Sequence, residues 1–226
     1  MRKLGFLVSG TDTGVGKTTL TCGMAATLKA RGLRIGVMKP AETGCEVHEG
    51  DLAPADAIAL RHAAGSSAPP ELICPYRYAL PLAPAAAAEL EGRAAPDLDH
   101  IRSAYKSLAA NADVMLVEGA GGITVPLTWG TNYADLALAL DLELILVVAN
   151  RLGCINATIL SLDYAERRGV VIKGYILNDV DAAPSPATAT NARSLERLTS
   201  APCLGEVHHN EPISAEICQR LVSSAL

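Results

Sequence analysis

Two hundred and twenty-six residues, half of them hydrophobic and 19% charged, suffice for a sizeable buried core and exclude disorder as the main state. One Phe and one Trp in a chain whose apolar residues are mostly Ala, Leu, Val and Ile suit helices packed on a buried sheet better than an aromatic-rich sandwich. The formal net charge of -5 argues against a broad basic nucleic-acid-binding face, and the six cysteines, with no C-x-x-C, read as reduced thiols of a cytosolic protein.

In chain order, Met1-Arg2-Lys3 is followed by an apolar run too short for a signal peptide. That run, Leu4–Val8, is the first of a series expected to form buried parallel strands. Leu33–Met38, Val114–Val117, Leu144–Ala149, Val170–Leu177 and Cys203–Val207 continue it. Between them the pattern predicts helices over Lys17–Ala30, Ala55–Ala64, Asp97–Ala110, Ile155–Arg168 and Ala187–Leu198, with Ser214–Ser223 closing the chain. Residues 65–96 are rich in proline and predict a long excursion with one short helix near 84–91. A second proline-rich stretch, Asp181–Pro186, separates the fifth strand from its helix. The greasy stretch Tyr133–Ala149 carries Asp135, Asp141 and Glu143, too many charges for a membrane span. Alternation of this kind predicts an α/β fold, a mostly parallel sheet with helices on both faces, in one domain over residues 1–226. Ligands of such sheets bind at the carboxyl ends of the strands.

Gly10-Thr11-Asp12-Thr13-Gly14-Val15-Gly16-Lys17-Thr18 fits G-x-x-x-x-G-K-[ST] in full and lies between the first strand and the first helix, where a P-loop must sit. Glycines let backbone N–H groups curl around phosphate, and the helix N-terminus adds partial positive charge. Lys17 then reaches β/γ oxygens and Thr18 a Mg²⁺ ion. The motif predicts a P-loop NTPase-like fold that binds a nucleoside triphosphate, but it does not name the reaction.

Other strand ends are more discriminating. Lys39, in Met38-Lys39-Pro40, either faces the γ-phosphate or closes the strand as a surface lysine. Glu118, before Gly119-Ala120-Gly121-Gly122, has the Walker B arrangement for holding Mg²⁺, with a plain strand-end charge as the alternative. Asp56 opens a helix, where it is either a partner for the helix dipole, which spacing alone favours, or a metal ligand. Asn178-Asp179 ends the fifth strand as a turn or as a reader of a base edge. Cys45 near these residues is either a reactive thiol or, more simply, an inert loop thiol.

The P-loop, Met38-Lys39-Pro40 with Thr43-Gly44, Glu118–Gly122, Leu152-Gly153-Cys154-Ile155-Asn156 and Asn178-Asp179 occur in an order that resembles the dethiobiotin synthetases, over essentially the whole chain. The resemblance implies closure of a ureido ring from 7,8-diaminononanoate, CO₂ or bicarbonate and ATP, with Mg²⁺, as a step of biotin biosynthesis in the cytoplasm. By similarity Lys39, Lys17 and Thr13 are the catalytic contacts. Gly14, Val15, Gly16, Lys17, Thr18 and Thr19 cradle phosphate, together with Gly119, Ala120 and Gly121. Thr18, Asp56 and Glu118 share Mg²⁺. Asn178 and Asp179, with His208, His209 and Asn210, hold the base. Thr43 contacts the carbamate where the family commonly has Ser. The resemblance also implies a homodimer whose site lies at the subunit interface, where Gly153, Cys154, Ile155 and Asn156 receive the substrate carboxylate of the neighbouring chain. It implies no nucleic-acid or membrane partner.

Two stretches depart from that pattern: Ala83-Pro84-Ala85 lacks a familiar His, and His208-His209-Asn210 replaces a Pro-aromatic form. Two rivals share the P-loop. A cobyrinate-type amidating synthetase usually carries a glutaminase domain, for which 226 residues leave no room. A partitioning ATPase of the ParA/MinD type carries an early extra lysine where this chain has Thr11.

Overall fold

A computed structural model describes residues 4–183 and 185–223; Met1–Lys3, Pro184 of the second proline-rich stretch and residues 224–226 lie outside the described residues. The elements run β1 (Leu4–Gly10), α1 (Lys17–Ala30), β2 (Ile35–Met38), β3 (Ala41–Thr43), β4 (Glu46–His48), β5 (Asp51–Ala53), α2 (Ala55–Ala64), α3 (Pro70–Ile73), β6 (Tyr76–Tyr78), α4 (Pro84–Glu91) and α5 (Leu98–Ala109). They continue as β7 (Val114–Gly122), β8 (Pro126–Thr128), β9 (Thr131–Asn132), α6 (Tyr133–Leu140), β10 (Glu143–Ala149), α7 (Cys154–Arg167), β11 (Ile172–Asn178), α8 (Thr188–Leu198), β12 (Cys203–Val207) and α9 (Ala215–Val222).

Six strands form one sheet in the order β12-β11-β10-β1-β7-β2, every pair parallel. Side chains alternate across it, so each apolar strand feeds two cores. Phe6, Val8, Ile145 and Val147 pack on one face with Leu20, Met24 and Leu28 of α1, Leu60 of α2 and Leu221 of α9. Leu7, Leu144, Leu146 and Val148 pack on the other with Ile101 of α5, Leu136 of α6, Leu162 of α7 and Leu195 of α8. Fully burying each such side chain contributes about 1.5–3 kcal/mol. From β1 the chain crosses to β2 at one edge and returns through β7, whereas β10, β11 and β12 extend the opposite side. This reversal opens a crevice at the carboxyl end of β1, where the glycine-rich loop begins.

Several boundaries differ from the sequence reading, and for identifiable reasons. Strand β7 does not stop at Val117 but runs through Gly122, so Glu118 is a mid-strand residue paired opposite Val8. Glycines at 119, 121 and 122 let the strand continue beside β1 and the loop. Tyr133–Ala149 divides into α6 and β10 at Asp141, which adopts φ 52. Asn132 and Asp135 form a reciprocal capping box at the start of α6, a helix the pattern of apolar runs did not separate from the strand after it. The 84–91 helix is present as α4, whereas α3, β6 and the hairpins β4–β5 and β8–β9 come without a sequence forecast. These strands are only two or three residues long, too short to carry a period-2 signal. Among the described residues no helix is long and apolar enough to cross a membrane.

Candidate functional site

The loop between β1 and α1 is shaped by two glycines in the left-handed region, Gly14 (φ 74) and Gly16 (φ 90). A Cβ at Gly16 would run into the Asn178 carboxamide, so this position combines a backbone and a space requirement. Asn178, at the end of β11, donates its amide to the Val15 carbonyl at 2.9 Å and ties the loop to the far side of the sheet. Lys17 opens α1 but folds back, its Nζ donating to the Asp12 carbonyl at 3.0 Å. Burial, then the neighbouring Lys39 charge, lower its ammonium to about 8.

A cleft of about 570 Å³ lies over this loop, lined among others by Thr13, Gly14, Gly16, Lys17, Thr18, Thr19, Lys39, Thr43, Asp56, Glu118, Ala120 and Gly121. Residues from five separate segments thus meet in one place. Lys39 is 3% exposed and Glu118 is fully buried. Lys39 Nζ donates to Glu118 Oε1 at 2.6 Å and to Asp56 Oδ2 at 2.8 Å. Burial alone would lower the Lys39 ammonium, but the Glu118 and Asp56 charges outweigh it and hold it well above its ordinary value. Asp56 is itself held low: burial opposes ionisation, and the Lys39 charge and hydrogen bond overcome that opposition. Surface-lysine and strand-end-charge readings of Lys39 and Glu118 are therefore set aside by burial and pairing.

Thr18 Oγ1 donates to Glu118 Oε1 at 2.8 Å, and Glu118 Oε2 is a buried oxygen without a hydrogen-bond partner among the described residues. One hydroxyl and two carboxylates, all hard oxygen donors, converge with one acceptor oxygen unsatisfied. That donor set fits Mg²⁺, which takes one or two carboxylates and completes its shell with phosphate oxygens and water. It does not suit a protein-only cage, and no cluster of three or more His, Cys, Asp or Glu able to hold a metal occurs among the described residues.

The remaining forecast residues fall outside this cleft. Val15 is buried beneath the loop, and Gly119 lies against the Tyr133 ring, where a Cβ would come within 3.2 Å. Asp179, His208, His209 and Asn210 gather at the ends of β11 and β12, with His208 Nδ1 2.8 Å from Asp179 Oδ2. The Asp179 hydrogen bond raises the His208 imidazole above its ordinary value. Gly153 caps α7 at φ 93; Cys154 is buried, Ile155 half-buried, Asn156 exposed, and Leu152 beside them is 88% exposed. Cys45 is buried and pushed up to about 11 by burial, which makes it an inert thiol.

Three polar residues beside the site went unforecast. Glu42 is buried and accepts the Asp56 and Ala57 amides, each at 2.9 Å. Asn150 and Asn191 are buried and bonded to one another at 2.9 Å, and Asn150 donates to Asp179 Oδ1 at 2.7 Å. Asn150 carries the same signal as Asn178, a carboxamide just after an apolar strand; Asn191 and Glu42 carry none.

The family described as AAA domain matches residues 4–217. The ATP-dependent dethiobiotin synthetase BioD of Anaeromyxobacter dehalogenans (strain 2CP-C) is 43% identical over 210 residues, 93% of this chain and 88% of that protein. The protein of the same name from Bacillus subtilis (strain 168) is 38% identical over 201 residues, 89% of this chain and 85% of that one. Among solved structures, the cell division ATPase MinD of Pyrococcus furiosus superposes with TM-score 0.55 at 17% identity, covering 100% of both chains. A ParA family ATPase from Chlorobium tepidum TLS gives 0.57 at 14% identity, over 99% of this chain and 93% of the other. Likenesses at such identity establish the P-loop NTPase fold alone. The relatives share more than the fold, at 38–44% identity over most of their own length, and by that measure the chain belongs to the ATP-dependent dethiobiotin synthetase family.

Proposed function

We propose that this chain, as a single P-loop synthetase domain over residues 1–226, converts 7,8-diaminononanoate, CO₂ and ATP to dethiobiotin, ADP and phosphate. The observation that carries the reading is Lys39, buried between Glu118 and Asp56 and beside Lys17 in the cleft over the glycine-rich loop. A mere nucleotide-binding module has no need of a second buried cation there.

An unprotonated substrate amine captures CO₂ as a carbamate, whose oxygen attacks the γ-phosphorus to give a carbamic-phosphoric anhydride and ADP. The second amine, on the neighbouring carbon, attacks the activated carbonyl and expels phosphate. Ring closure is intramolecular and gains from proximity. Lys39 and Lys17 stabilise the charge that spreads over the transferring phosphoryl oxygens, and Lys39 also meets the anionic carbamate. Thr13 contacts the reacting groups from the loop, and Thr43 hydrogen-bonds the carbamate from the cleft wall. Thr18, Asp56 and Glu118 would hold Mg²⁺, which when bound neutralises phosphate charge. Backbone N–H groups of residues 14–19 and the helix dipole receive the phosphates. Asn178, Asp179 and the 208–210 turn lie on the adenine side.

The substrate tail belongs to a homodimer in this reading. The start of α7 presents Gly153–Asn156 at an N-terminus suited to a carboxylate, next to exposed Leu152 and Leu160. In the proposed dimer a second copy would cover those leucines and bring its substrate tail to this turn. The enzyme is cytoplasmic and needs neither nucleic acid nor membrane.

Phosphate release by purified protein with ATP, Mg²⁺ and bicarbonate, with and without 7,8-diaminononanoate, tests the proposal when the product is identified by mass. Release that requires the diamine and yields the ureido product is expected. Diamine-independent hydrolysis without that product would sink it.

A further inference from the structure

Glu42 is 5% exposed and lies on the wall of the cleft. It sits mid-way along β3, whose register sets it opposite Arg77 of β6. Its Oε1 accepts the Asp56 amide and its Oε2 the Ala57 amide, each at 2.9 Å. These are first-turn N–H groups of α2, for which no intrahelical carbonyl exists. Pro54, the residue before the helix, supplies no side-chain cap. Glu42 therefore caps α2 from fourteen residues upstream.

A neutral Ser or Thr can cap a helix with one hydroxyl. Accepting two consecutive amides with two oxygens fixes the rotation of the first turn as well as its position, and that requires a carboxylate. The turn so fixed carries Asp56, whose Oδ2 lies 2.8 Å from Lys39 Nζ. Lys39 precedes Glu42 by only three residues, across the rigid Pro40. The carboxylate thus joins the segment bearing Lys39 to the helix bearing Asp56.

We infer that Glu42 is a positioning residue for the phosphate-transfer site, setting the Asp56 carboxylate toward Lys39 and the Mg²⁺ position through the two amides. This rests on the reading of Asp56 as a metal ligand. Partners that orient a metal ligand typically govern affinity by ten- to a hundredfold.

The test uses Glu42→Ala and Glu42→Gln, each alone and combined with Asp56→Asn, in the full chain. Mn²⁺ is titrated in the presence of ADP and free Mn²⁺ is read by electron paramagnetic resonance, with thermal unfolding alongside. Glu42→Ala is expected to weaken Mn²⁺ binding about tenfold. Glu42→Gln, whose carboxamide oxygen keeps one amide, should weaken it less and serves if the alanine variant does not fold. In the Asp56→Asn background neither change should weaken Mn²⁺ further, although the lost cap still lowers Tm there. A purely structural role instead predicts weakening of equal size in both backgrounds, and that result, or unchanged Mn²⁺ binding in both Glu42 variants, overturns the inference. Mn²⁺ binding unaffected by Asp56→Asn overturns the assignment of Asp56, and the inference with it. Loss on Asp56→Asn with none on Glu42 substitution overturns the inference alone.

Discussion

The two ends of the nucleotide crevice are ordered by opposite means. Over the glycine-rich loop, order comes from buried ions: Lys39, Lys17 and Glu118 are 3%, 8% and 0% exposed, the Lys39 and Glu118 charges are paired, and Lys17 leans on the Asp12 carbonyl. Around the ends of β10, β11 and β12, order comes from neutral amides. Asn191 holds Asn150, Asn150 holds Asp179, and the last link is the titratable imidazole of His208, with its side chain 62% exposed. Charges in a low-dielectric interior interact strongly and are costly when unpaired, whereas exposed ones are screened. The phosphate end should therefore couple stability tightly to activity, and the other end should couple them loosely.

Lys39→Met is the most severe way to break that contrast. It leaves Glu118 buried with its main counter-charge gone, which should cost about 3 kcal/mol of stability. On the proposed reading that Lys39 meets developing phosphoryl charge, its loss should lower kcat by at least about a hundredfold. Lys39→Met combined with Glu118→Gln should recover most of the stability in urea unfolding and none of the activity, because replacing both partners removes the orphan charge but not the chemical need. A single variant as stable as the parent would show that the pair is not the organising feature of that end.

The phosphate end was also the more legible in sequence, and for a related reason. Lys17, Thr18, Lys39 and Glu118 belong to motifs or follow apolar strands, so the position along the chain announces the position in space. The alternating runs located the six core strands and most helices of both layers, but stopped β7 five residues short and missed α6. Glu42 stayed hidden because its partner is the backbone of α2, and a backbone amide leaves no trace in residue type. Asn191 stayed hidden because it lies inside a helix, where a polar residue ordinarily faces solvent. Asp56 was ambiguous on spacing alone, since an acid in a first turn suits the dipole as well as a metal, and in the fold it satisfies a lysine from another strand. The hairpins β4–β5 and β8–β9 were lost to shortness rather than to a misread pattern.

Asn150→Ala sharpens the contrast from the other side. The substitution takes the donor from Asp179 Oδ1 and leaves Asn191 Nδ2 only the Arg151 carbonyl at 3.3 Å, and the lost hydrogen bonds should together cost about 1–2 kcal/mol. The Asn150 backbone still accepts its place beside β11 through its N–H to the Asn178 carbonyl at 2.8 Å, so the strand end survives. The KM for ATP should rise severalfold while kcat at saturating ATP changes little, the mark of binding lost equally from ground and transition states. A fall in kcat comparable to that of Lys39→Met would mean that the two ends are not separable.

The smallest effect concerns the pair at the rim. The Asp179 hydrogen bond raises the His208 imidazole above its ordinary 6.5, so the folded protein holds that proton more tightly than the unfolded chain. The resulting ordering of the 208–210 turn is fully present below pH 6.5 and is lost as pH rises through the elevated folded value. Exposure makes it weak and sensitive to salt, so it should appear as a modest upward drift of the ATP KM across that window, with no change in kcat. A proton NMR titration of the His208 ring should give a midpoint above 6.5, and Asp179→Asn should return it to the ordinary value. A midpoint at or below 6.5 in the parent would remove the pair from the account and leave Asn150 alone to set the direction of the Asp179 carboxylate.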